Sequence, residues 1–417
     1  MRNLLLVFVA VAPACKWTDF DDLREEAWVT ATQKPDNGSS NWGVAIQRTA
    51  QSAASGGGIA VVGTAEAIYN EIGYSATGGA KIGTEQELND QFGIGNLEPQ
   101  PILIANPTSD EIALVTKSGA QQVVVLSGAA GDLTPHQVFG PDSADAAVYM
   151  IAPGIDNGAA AQPAQPIVAS ANVLFGTFFT PPEQPFIQVK CELVEGATPV
   201  AIRALGAVHL GGAAVDEVVV WAATGTLYRI NGEVFNGARS NGVCPEGPTA
   251  GVGRFDTTGK PQLAVAFNPG IGSQVLVFGD RFALLQGHTD ANEGFLGLVD
   301  LMTMTLIGAP QTDGGLKTAA LHEAGGAVSV IAGYPQATVE GVDSGEARVY
   351  TIDTGSGIDA APIEVLRDAS PEDGQSYGRA VASFAFNGER VIAVAGDNEV
   401  FAYFRTSMLY GDARQGR

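Results

Sequence analysis

The feature that most constrains the fold is a recurring unit of two short apolar runs held apart by turn residues. Residues 328–353, VSVIAGYPQATVEGVDSGEARVYTID, show the pattern: VSVIAGYP and ARVYTID flank a polar insert that contains glycine. After Trp42 no stretch keeps a helical period, and β-branched and apolar runs recur between turn residues instead. Seven such units can be traced, over residues 42–65, 92–127, 145–194, 201–232, 252–279, 315–353 and 377–404.

The recurrence predicts an all-β fold, a seven-bladed β-propeller of four-stranded antiparallel blades over residues 42–410. One small sheet would leave an apolar face and its edges exposed, whereas radial packing of several sheets buries those faces against neighbours. The composition agrees, because 53 glycines and only 16% charged residues suit many short strands joined by tight turns. Trp42 and Trp221 fall in strand-like contexts and are predicted to be packing residues.

The N-terminus predicts export. Arg2 precedes an apolar run from Leu4 to Ala12 that is too short to span a bilayer, so residues 1–14 are interpreted as a signal peptide. The following residues 15–41 are polar and are predicted to form a tether, with a short helix possible over residues 19–28. The open alternatives are ordinary cleavage without lipidation, or an apolar first strand.

Ala12-Pro13-Ala14-Cys15 resembles a bacterial lipobox, which implies acylation of Cys15. Ala12 stands where a leucine is usual. By resemblance to envelope lipoproteins, Lys16 implies sorting to the outer membrane. The expected location is therefore the bacterial cell envelope, with the membrane contacted through a lipid anchor only.

The cysteines fit an oxidising compartment. With Cys15 acylated, Cys191 and Cys244 remain as a pair that can form a disulfide there. The alternative is two unrelated buried thiols. The lack of a C-x-x-C spacing argues against structural zinc.

Several motifs resemble the FG-GAP/VCBS repeats found in integrin α-subunit propellers and in exported bacterial proteins. They are Tyr377-Gly378-Arg379-Ala380-Val381, LIGAP at 306–310, and IAGYP at 331–335. The resemblance covers most of residues 42–404 and is clearest in the last three units. It implies the propeller fold and loops that could bind calcium.

The loops that should hold calcium in this family are degenerate here. The family pattern D-x-D-x-D-G followed by another acid is matched best at 254–260, where Arg254 occupies the first ligand position and Asp256 remains. A second loop, 209–216, retains only Asp216. Calcium needs about six to eight oxygen ligands, so we expect no cofactor, with weak residual Ca²⁺ binding as the alternative.

No catalytic arrangement is evident in the sequence. The four histidines, His136, His209, His288 and His322, lie in different units without metal-ligand spacing. The G-x-S-x-G match at 374–378 lacks the strand before it and the helix after it that a nucleophile elbow requires, so Ser376 is interpreted as a turn residue. A formal charge of −23 disfavours nucleic acid as a partner.

Two function classes remain, and the first of them has a variant. The preferred hypothesis is a non-catalytic envelope scaffold that presents loops to a protein or glycan partner. The alternative is a propeller enzyme, a glycan hydrolase or lyase with carboxylates at the central channel. A purely structural member of a surface assembly would differ from the first hypothesis only in stoichiometry.

Overall fold

The structure is a computed structural model that describes part of the chain continuously and part as separate strands. It describes the strands between residues 27 and 178 with residues 42–43 and 171–172, and residues 187–405 apart from 212–215, 233–245, 250–251, 290, 325–326, 369 and 387–388. All regular elements in these residues are strands. In the same residues no helix has the length and apolar character needed to cross a bilayer.

The strands are short and follow one another at turn-length intervals. In chain order they are β1 (Ala27–Gln33), β2 (Ala45–Arg48), β3 (Gly58–Gly63), β4 (Ile68–Tyr74), β5 (Ala80–Ile82), β6 (Gln86–Glu87), β7 (Leu97–Ile104), β8 (Asp110–Thr116), β9 (Val123–Ala129), β10 (Asp132–Phe139), β11 (Met150–Ala152), β12 (Ile167–Ser170), β13 (Val173–Phe178), β14 (Ile187–Glu195), β15 (Thr198–Pro199), β16 (Ile202–Val208), β17 (Glu217–Ala222), β18 (Thr226–Ile230), β19 (Glu246–Thr249), β20 (Val252–Asp256), β21 (Gln262–Ala264), β22 (Gln274–Phe278), β23 (Phe282–His288), β24 (Gly294–Asp300), β25 (Thr305–Thr312), β26 (Thr318–Ala324), β27 (Ala327–Tyr334), β28 (Glu346–Asp353), β29 (Gly357–Ile358), β30 (Glu364–Leu366), β31 (Ala380–Phe386), β32 (Glu389–Ala395) and β33 (Glu399–Arg405).

Among the described residues these strands form seven sheets, most of them simple antiparallel meanders. We name them by the chain order of their first strands. Sheet I holds β2 to β6, sheet II β7 to β10, sheet III β11 to β15 with β19 and β20, sheet IV β16 to β18 with β21, sheet V β22 to β25, sheet VI β26 to β30, and sheet VII β31 to β33 with β1. Sheets II, IV, V and VII have four strands each, as the sequence predicts.

Sheet III departs from the predicted four-stranded plan. The chain leaves sheet IV after β18, adds β19 and β20 to sheet III, and returns to sheet IV as β21. β20 pairs with β14 in parallel, with Cys191 opposite Gly253. The interpretation of residues 252–279 as one repeat unit is therefore wrong, because this stretch contributes to sheets III, IV and V in turn. Pairing of β20 with a strand some sixty residues earlier in the chain leaves no local periodic signal.

Sheet VII has the predicted four strands, but one of them comes from outside the predicted propeller. β1 pairs antiparallel with β33, with Ala27 opposite Arg405 and Gln33 opposite Glu399. The segment 15–41 that the sequence predicts as a tether thus contributes a strand, and the last two residues of the predicted helix 19–28 lie in that strand. The first strand and the last strand of the described chain complete one sheet together.

The sheets pack face to face in a cyclic order. The first strand of each sheet contacts the first strands of its two neighbours: β2 contacts β7, and the series continues through β11, β16, β22, β26 and β31 back to β2. Among the described residues, apolar clusters fill the spaces between sheets III, IV and V, between V and VI, between VI and VII, and between VII and I. Sheets VI and VII, for example, share Ile331, Val349, Tyr377 and Tyr403.

Both tryptophans predicted as packing residues are fully buried. Trp42 lies with Tyr74 and Phe404 between sheets I and VII. Trp221 contacts Phe295 at a ring-centre distance of 5.9 Å in the cluster shared by sheets III, IV and V. Burial of such large rings stabilises these junctions.

Candidate binding face

The loops at one end of sheets IV to VII lie together and form a continuous face. In each of these sheets the turn between the second and third strands is hydrogen-bonded to the loop that leads to or from a neighbouring sheet. Gly270 N donates to His288 O at 2.7 Å, Gly315 N donates to Asn292 O at 3.0 Å, and Tyr377 N donates to Ser344 O at 2.7 Å. We call this surface the loop face; it comprises residues 223–225, 265–273, 289, 291–293, 313–317, 335–345, 367–368, 370–379 and 396–398.

Glycines allow the backbones of this face to approach one another closely. Gly378 has a φ of +89°, and a Cβ there would collide with the carbonyl oxygen of Glu346. A Cβ on Gly333 would collide with the carbonyl oxygen of Gly378, and one on Gly345 with that of Tyr377. The IAGYP and YGRAV motifs therefore have a packing role, since they join sheets VI and VII where only glycine fits.

A charged network lies beneath this junction. The buried carboxylate of Glu346 accepts from Arg348 Nε at 2.6 Å and from Arg367 Nε at 2.8 Å. Arg348 also pairs with Asp313, and its guanidinium lies 4.2 Å from the centre of the Tyr334 ring. Two arginines compensate one buried carboxylate, which otherwise would be costly to desolvate.

The phenols next to the network are buried and hydrogen-bonded to other phenols. Burial, and then the hydrogen bond with Tyr350, raises the pKa of Tyr334. Burial likewise raises the pKa of Tyr377, whose hydroxyl is hydrogen-bonded to that of Tyr403. Both hydroxyls stay protonated at neutral pH, so they serve as structural hydrogen-bonding groups.

The outer surface of the loop face is rich in exposed acids. Glu340 lies at the tip of a small hairpin closed by the Val339–Val342 bridge, with φ of 52°. The neighbouring loop is fixed to this hairpin, because Gly374 N donates to Asp343 O at 3.1 Å. Exposed acids occur at Glu340, Asp343, Glu372 and Asp373. Ile271 adds an exposed apolar side chain, 51% accessible.

The two predicted remnants of calcium loops lie in different sheets. Asp216 pairs with His209 Nδ1 at 2.8 Å. Asp256 Oδ1 accepts from Thr258 Oγ1 at 2.6 Å, Thr258 N at 2.9 Å and Gly196 N at 3.0 Å. These bonds, that of the Thr258 hydroxyl first, lower the pKa of Asp256. Asp256 thereby connects the turn at Gly196 to the turn at Thr258 through hydrogen bonds.

Metal-ligating residues do not converge in the described part of the chain, where no three His, Cys, Asp or Glu side chains form a group that could hold an ion. The weakness of calcium binding stays a prediction.

The histidines do not converge either. His288 Nδ1 lies 3.4 Å from Gln286 Nε2, and His322 Nδ1 lies 2.9 Å from Ser383 Oγ. His209 pairs with Asp216, and His136 lies at the bulge of β10. The four residues belong to four different sheets, as expected of residues that act separately.

Ser376 lies in a turn rather than in a nucleophile elbow. Strand β31 follows the 374–378 segment, and the Ser376 hydroxyl donates to the carbonyl oxygen of Gly374 at 3.4 Å. Tyr377 beside it is fully buried between sheets. The sequence interpretation of this motif as the turn that opens a repeat agrees with these contacts.

The first strands of the sheets contact one another in cyclic order and are mainly apolar in sequence. Their carboxylate residues are Glu98 in β7 and Glu323 in β26. The alternative of a propeller enzyme with carboxylates at the central channel stays a prediction.

Cys191 is fully buried and disulfide-bonded. Its partner, and with it the predicted role of Cys244, lies outside the described residues, as does the predicted lipidation site Cys15. Pairing of Cys191 with Cys244 stays a prediction.

The Glu346 network was not found from the sequence, although a signal was present. In GEARVYTID, Glu346 and Arg348 are two residues apart on a strand, which places both side chains on one face. Arg367 could not be added, because its place beside Glu346 depends on the pairing of β28 with β30.

Comparison with known proteins gives structural similarity without sequence similarity. No protein-family profile matches the chain. No curated protein matches it. The crystal structure of Chaetomium thermophilum Raptor is similar with a TM-score of 0.52 at 12% identity, covering 92% of this chain and 29% of the Raptor chain.

A chain in a crystal structure of the Mitotic Checkpoint Complex is similar with a TM-score of 0.51 at 8% identity, covering 97% of this chain and 99% of that chain. The present chain thus spans less than a third of Raptor. At such identities the similarity concerns the fold alone, which is all-β and propeller-like.

Proposed function

We propose that the seven sheets are the blades of one closed propeller, of the FG-GAP/VCBS type that the motifs resemble. The cyclic contacts of the first strands support this arrangement, and so does the completion of sheet VII by β1. The mapping of the family-like motifs to junctions between sheets supports the relationship to these repeats. A closed ring would leave the loop face as the natural surface for recognition.

We further propose that the protein is a non-catalytic scaffold that presents the loop face to a protein or glycan partner. One observation carries this proposal: the loop face exposes a group of acids on loops that are hydrogen-bonded to one another. Recognition needs exposed, rigidly held side chains of this kind.

The acidic character of the face bears on the partner. The chain carries 45 Asp and Glu against 22 Lys and Arg. A negatively charged surface attracts positively charged ligands and repels negatively charged ones, so a partner with basic groups is favoured. The hydrogen bonds between loops hold the acids in place, which lowers the entropy lost on binding.

The proposed setting is the bacterial cell envelope. The pattern of residues 1–14 supports export, and the lipobox-like Cys15 followed by Lys16 supports an outer-membrane lipid anchor. A disulfide at Cys191 fits an oxidising compartment of this kind.

The test is affinity purification of the lipidated protein from its native membrane. We compare the wild type with a Glu372→Gln/Asp373→Asn variant on the loop face. The matched control is Asp280→Asn/Asp359→Asn, which removes the same charge from exposed positions away from that face. The proposal expects a co-purifying protein or glycan that the first variant loses and the control retains.

Three other outcomes would contradict the proposal. Turnover of a sugar in a glycan library would favour the hydrolase or lyase alternative. A partner retained by both variants would place recognition elsewhere. A fixed stoichiometric complex would identify the protein as a structural member of a surface assembly.

A further inference from the structure

One large apolar side chain is exposed on the loop face, in the connection between sheets IV and V. Among the described residues the exposed large apolar side chains are Val29, Ile271, Met302, Ile363 and Val365. Of these only Ile271, which is 51% accessible, belongs to the loop face. A single exposed apolar residue is common on protein surfaces, so only a fixed position would mark it as a binding group.

The backbone on both sides of Ile271 is fixed to one residue of sheet V. Gly270 N donates to His288 O at 2.7 Å, and His288 N donates to Ser273 Oγ at 3.3 Å. Ser273 N donates to Gly270 O at 3.4 Å and closes the turn. A Cβ on Gly270 would lie 2.6 Å from His288 O, and Gly272 has a φ of +86°. Glycine is therefore favoured on both sides of Ile271, and the tight turn presents this side chain in a fixed position.

A rigidly presented apolar side chain is suited to insertion into a pocket of a partner. Its burial is favourable because apolar surface is removed from water. The fixed turn means that little conformational entropy is lost on binding. Interfaces often depend on a few such anchors, which the surrounding contacts shield from water. Ile271 can therefore act as an anchor, with the other loops of the face around it.

The surroundings of this anchor are acidic. Glu293 is exposed on the turn that follows His288, and further exposed acids lie on the 335–345 and 370–379 loops of the same face. Negative charge around an apolar anchor attracts basic groups and repels acidic ones. The pocket that receives Ile271 is therefore expected to have basic side chains at its border.

The aliphatic character of the anchor favours a protein over a glycan as partner. A sugar presents hydroxyl groups, which lose hydrogen bonds with water when they are buried against an aliphatic side chain. Isoleucine offers these hydroxyl groups neither a donor nor an acceptor. A protein, in contrast, can offer a pocket lined by apolar side chains, as the buried centres of protein interfaces do.

We propose that Ile271 is the anchor of the loop face and inserts into an apolar pocket, bordered by basic side chains, on a partner protein. This inference rests on the proposed function, and it names the partner class of the same face. The net charge of −23 disfavours a second copy of the chain as partner, because two such molecules repel each other.

The first experiment identifies the molecule in contact with residue 271. The photoreactive residue p-benzoylphenylalanine replaces Ile271 in the lipidated full chain, and the native membranes are irradiated. The control carries the same residue at Met302, which is 53% accessible in the β24–β25 turn at the other end of sheet V. We expect an adduct at position 271 but not at position 302, with a peptide of another protein attached, as identified by mass spectrometry.

The second experiment measures the affinity of the purified adduct partner for variants of the anchor. Ile271→Val removes one buried carbon and should weaken binding about fourfold, and Ile271→Ala removes three and should weaken it about fiftyfold. Ile271→Thr has the shape of valine with a hydroxyl, and it should bind more weakly than Ile271→Val. Met302→Ala should bind as the wild type does. Equal melting temperatures of all variants would exclude an effect on folding.

The outcomes separate this inference from the proposed function. Equal affinities across the Ile271 series would overturn the anchor, and so would the lack of an adduct at position 271. A glycan or a second copy of the chain attached there would overturn the partner class. In each of these cases the proposed function still stands if Glu372→Gln/Asp373→Asn loses the partner. A partner that is retained both by this double variant and by Ile271→Ala would overturn both proposals.

Discussion

At the scale of single residues, glycines decide how closely neighbouring sheets can approach. Gly378→Ala is expected to destabilise the protein by about 3 kcal/mol, because the new Cβ would combine a strained φ with a collision against Glu346 O. Gly374→Ala is the matched control: its φ is +76°, but no atom lies within 4 Å of the position of a Cβ. It should cost only about 1 kcal/mol. Urea denaturation measures both, and equal losses would show that the close approach contributes nothing.

A second residue-scale prediction concerns pH. Arg281 binds Asp300 through two hydrogen bonds, of 3.0 and 2.6 Å, and this interaction first of all lowers the pKa of Asp300 to about 2. A carboxylate with a lowered pKa stabilises the fold above its unfolded pKa and loses that contribution as the pH falls through its folded pKa. We expect Asp300→Asn to cost about 1–2 kcal/mol at pH 7, since Arg281 remains partly in water.

The difference between wild type and Asp300→Asn should shrink between about pH 4 and pH 2, where the wild-type carboxylate takes up its proton. Asp359→Asn, at an exposed position, controls for the loss of one negative charge. Thermal melts across this range test the prediction. A difference that stays constant with pH would assign the loss to packing instead.

At the scale of elements, β19 and β20 link sheets III and IV. They pair within sheet III, although the strands before and after them in the chain belong to sheet IV. Arg254 pairs with Glu192 at 3.1 Å, and Thr257 Oγ1 donates to Val194 O at 3.1 Å. Cys191 lies opposite Gly253, which in turn lies opposite Pro248 on β19. Cys244 precedes β19 by two residues. A disulfide between Cys191 and Cys244 would therefore attach the β19–β20 segment covalently to sheet III.

Peptide mapping without reduction is expected to recover Cys191 linked to Cys244. Cys244→Ser should lower stability by about 3–4 kcal/mol, because the bond closes a long loop in the unfolded chain. Cys15→Ser is the control and should leave both the cross-link and the urea midpoint unchanged. Recovery of a Cys15–Cys191 peptide would contradict this pairing and the lipidation of Cys15 together.

The elements also show what the sequence could predict. Short-range features were accessible: the apolar runs VSVIAGYP and ARVYTID predict β27 and β28, and the burial of Trp42 and Trp221 was expected from their strand-like surroundings, although Trp42 lies in the turn before β2. Pairings between distant segments could not be predicted from the sequence. AWVTATQ becomes a strand through its contact with β33 at the other end of the chain. The same limit applies to Arg367, which reaches Glu346 only through sheet pairing.

At the scale of the whole molecule, the proposed closure of the propeller and the proposed lipid anchor involve neighbouring segments of the chain. β1 completes sheet VII, and it begins twelve residues after the proposed lipid-bearing Cys15. An extended chain spans about 3.3–3.6 Å per residue, so an anchored molecule would hold β1 within about 40 Å of the membrane.

Cys15→Ser is therefore expected to release the protein from the membrane fraction and to abolish labelling by palmitate. Cys244→Ser should keep both, because the predicted anchor needs only the first cysteine. Two acyl chains or more are required for stable anchoring, so loss of the single attachment residue should move most of the protein to the soluble fraction. Retention of the Cys15→Ser variant in the membrane would mean that another segment or a bound partner holds the molecule there. Detection of an intact signal segment in the mature wild type would remove the basis for the anchor altogether.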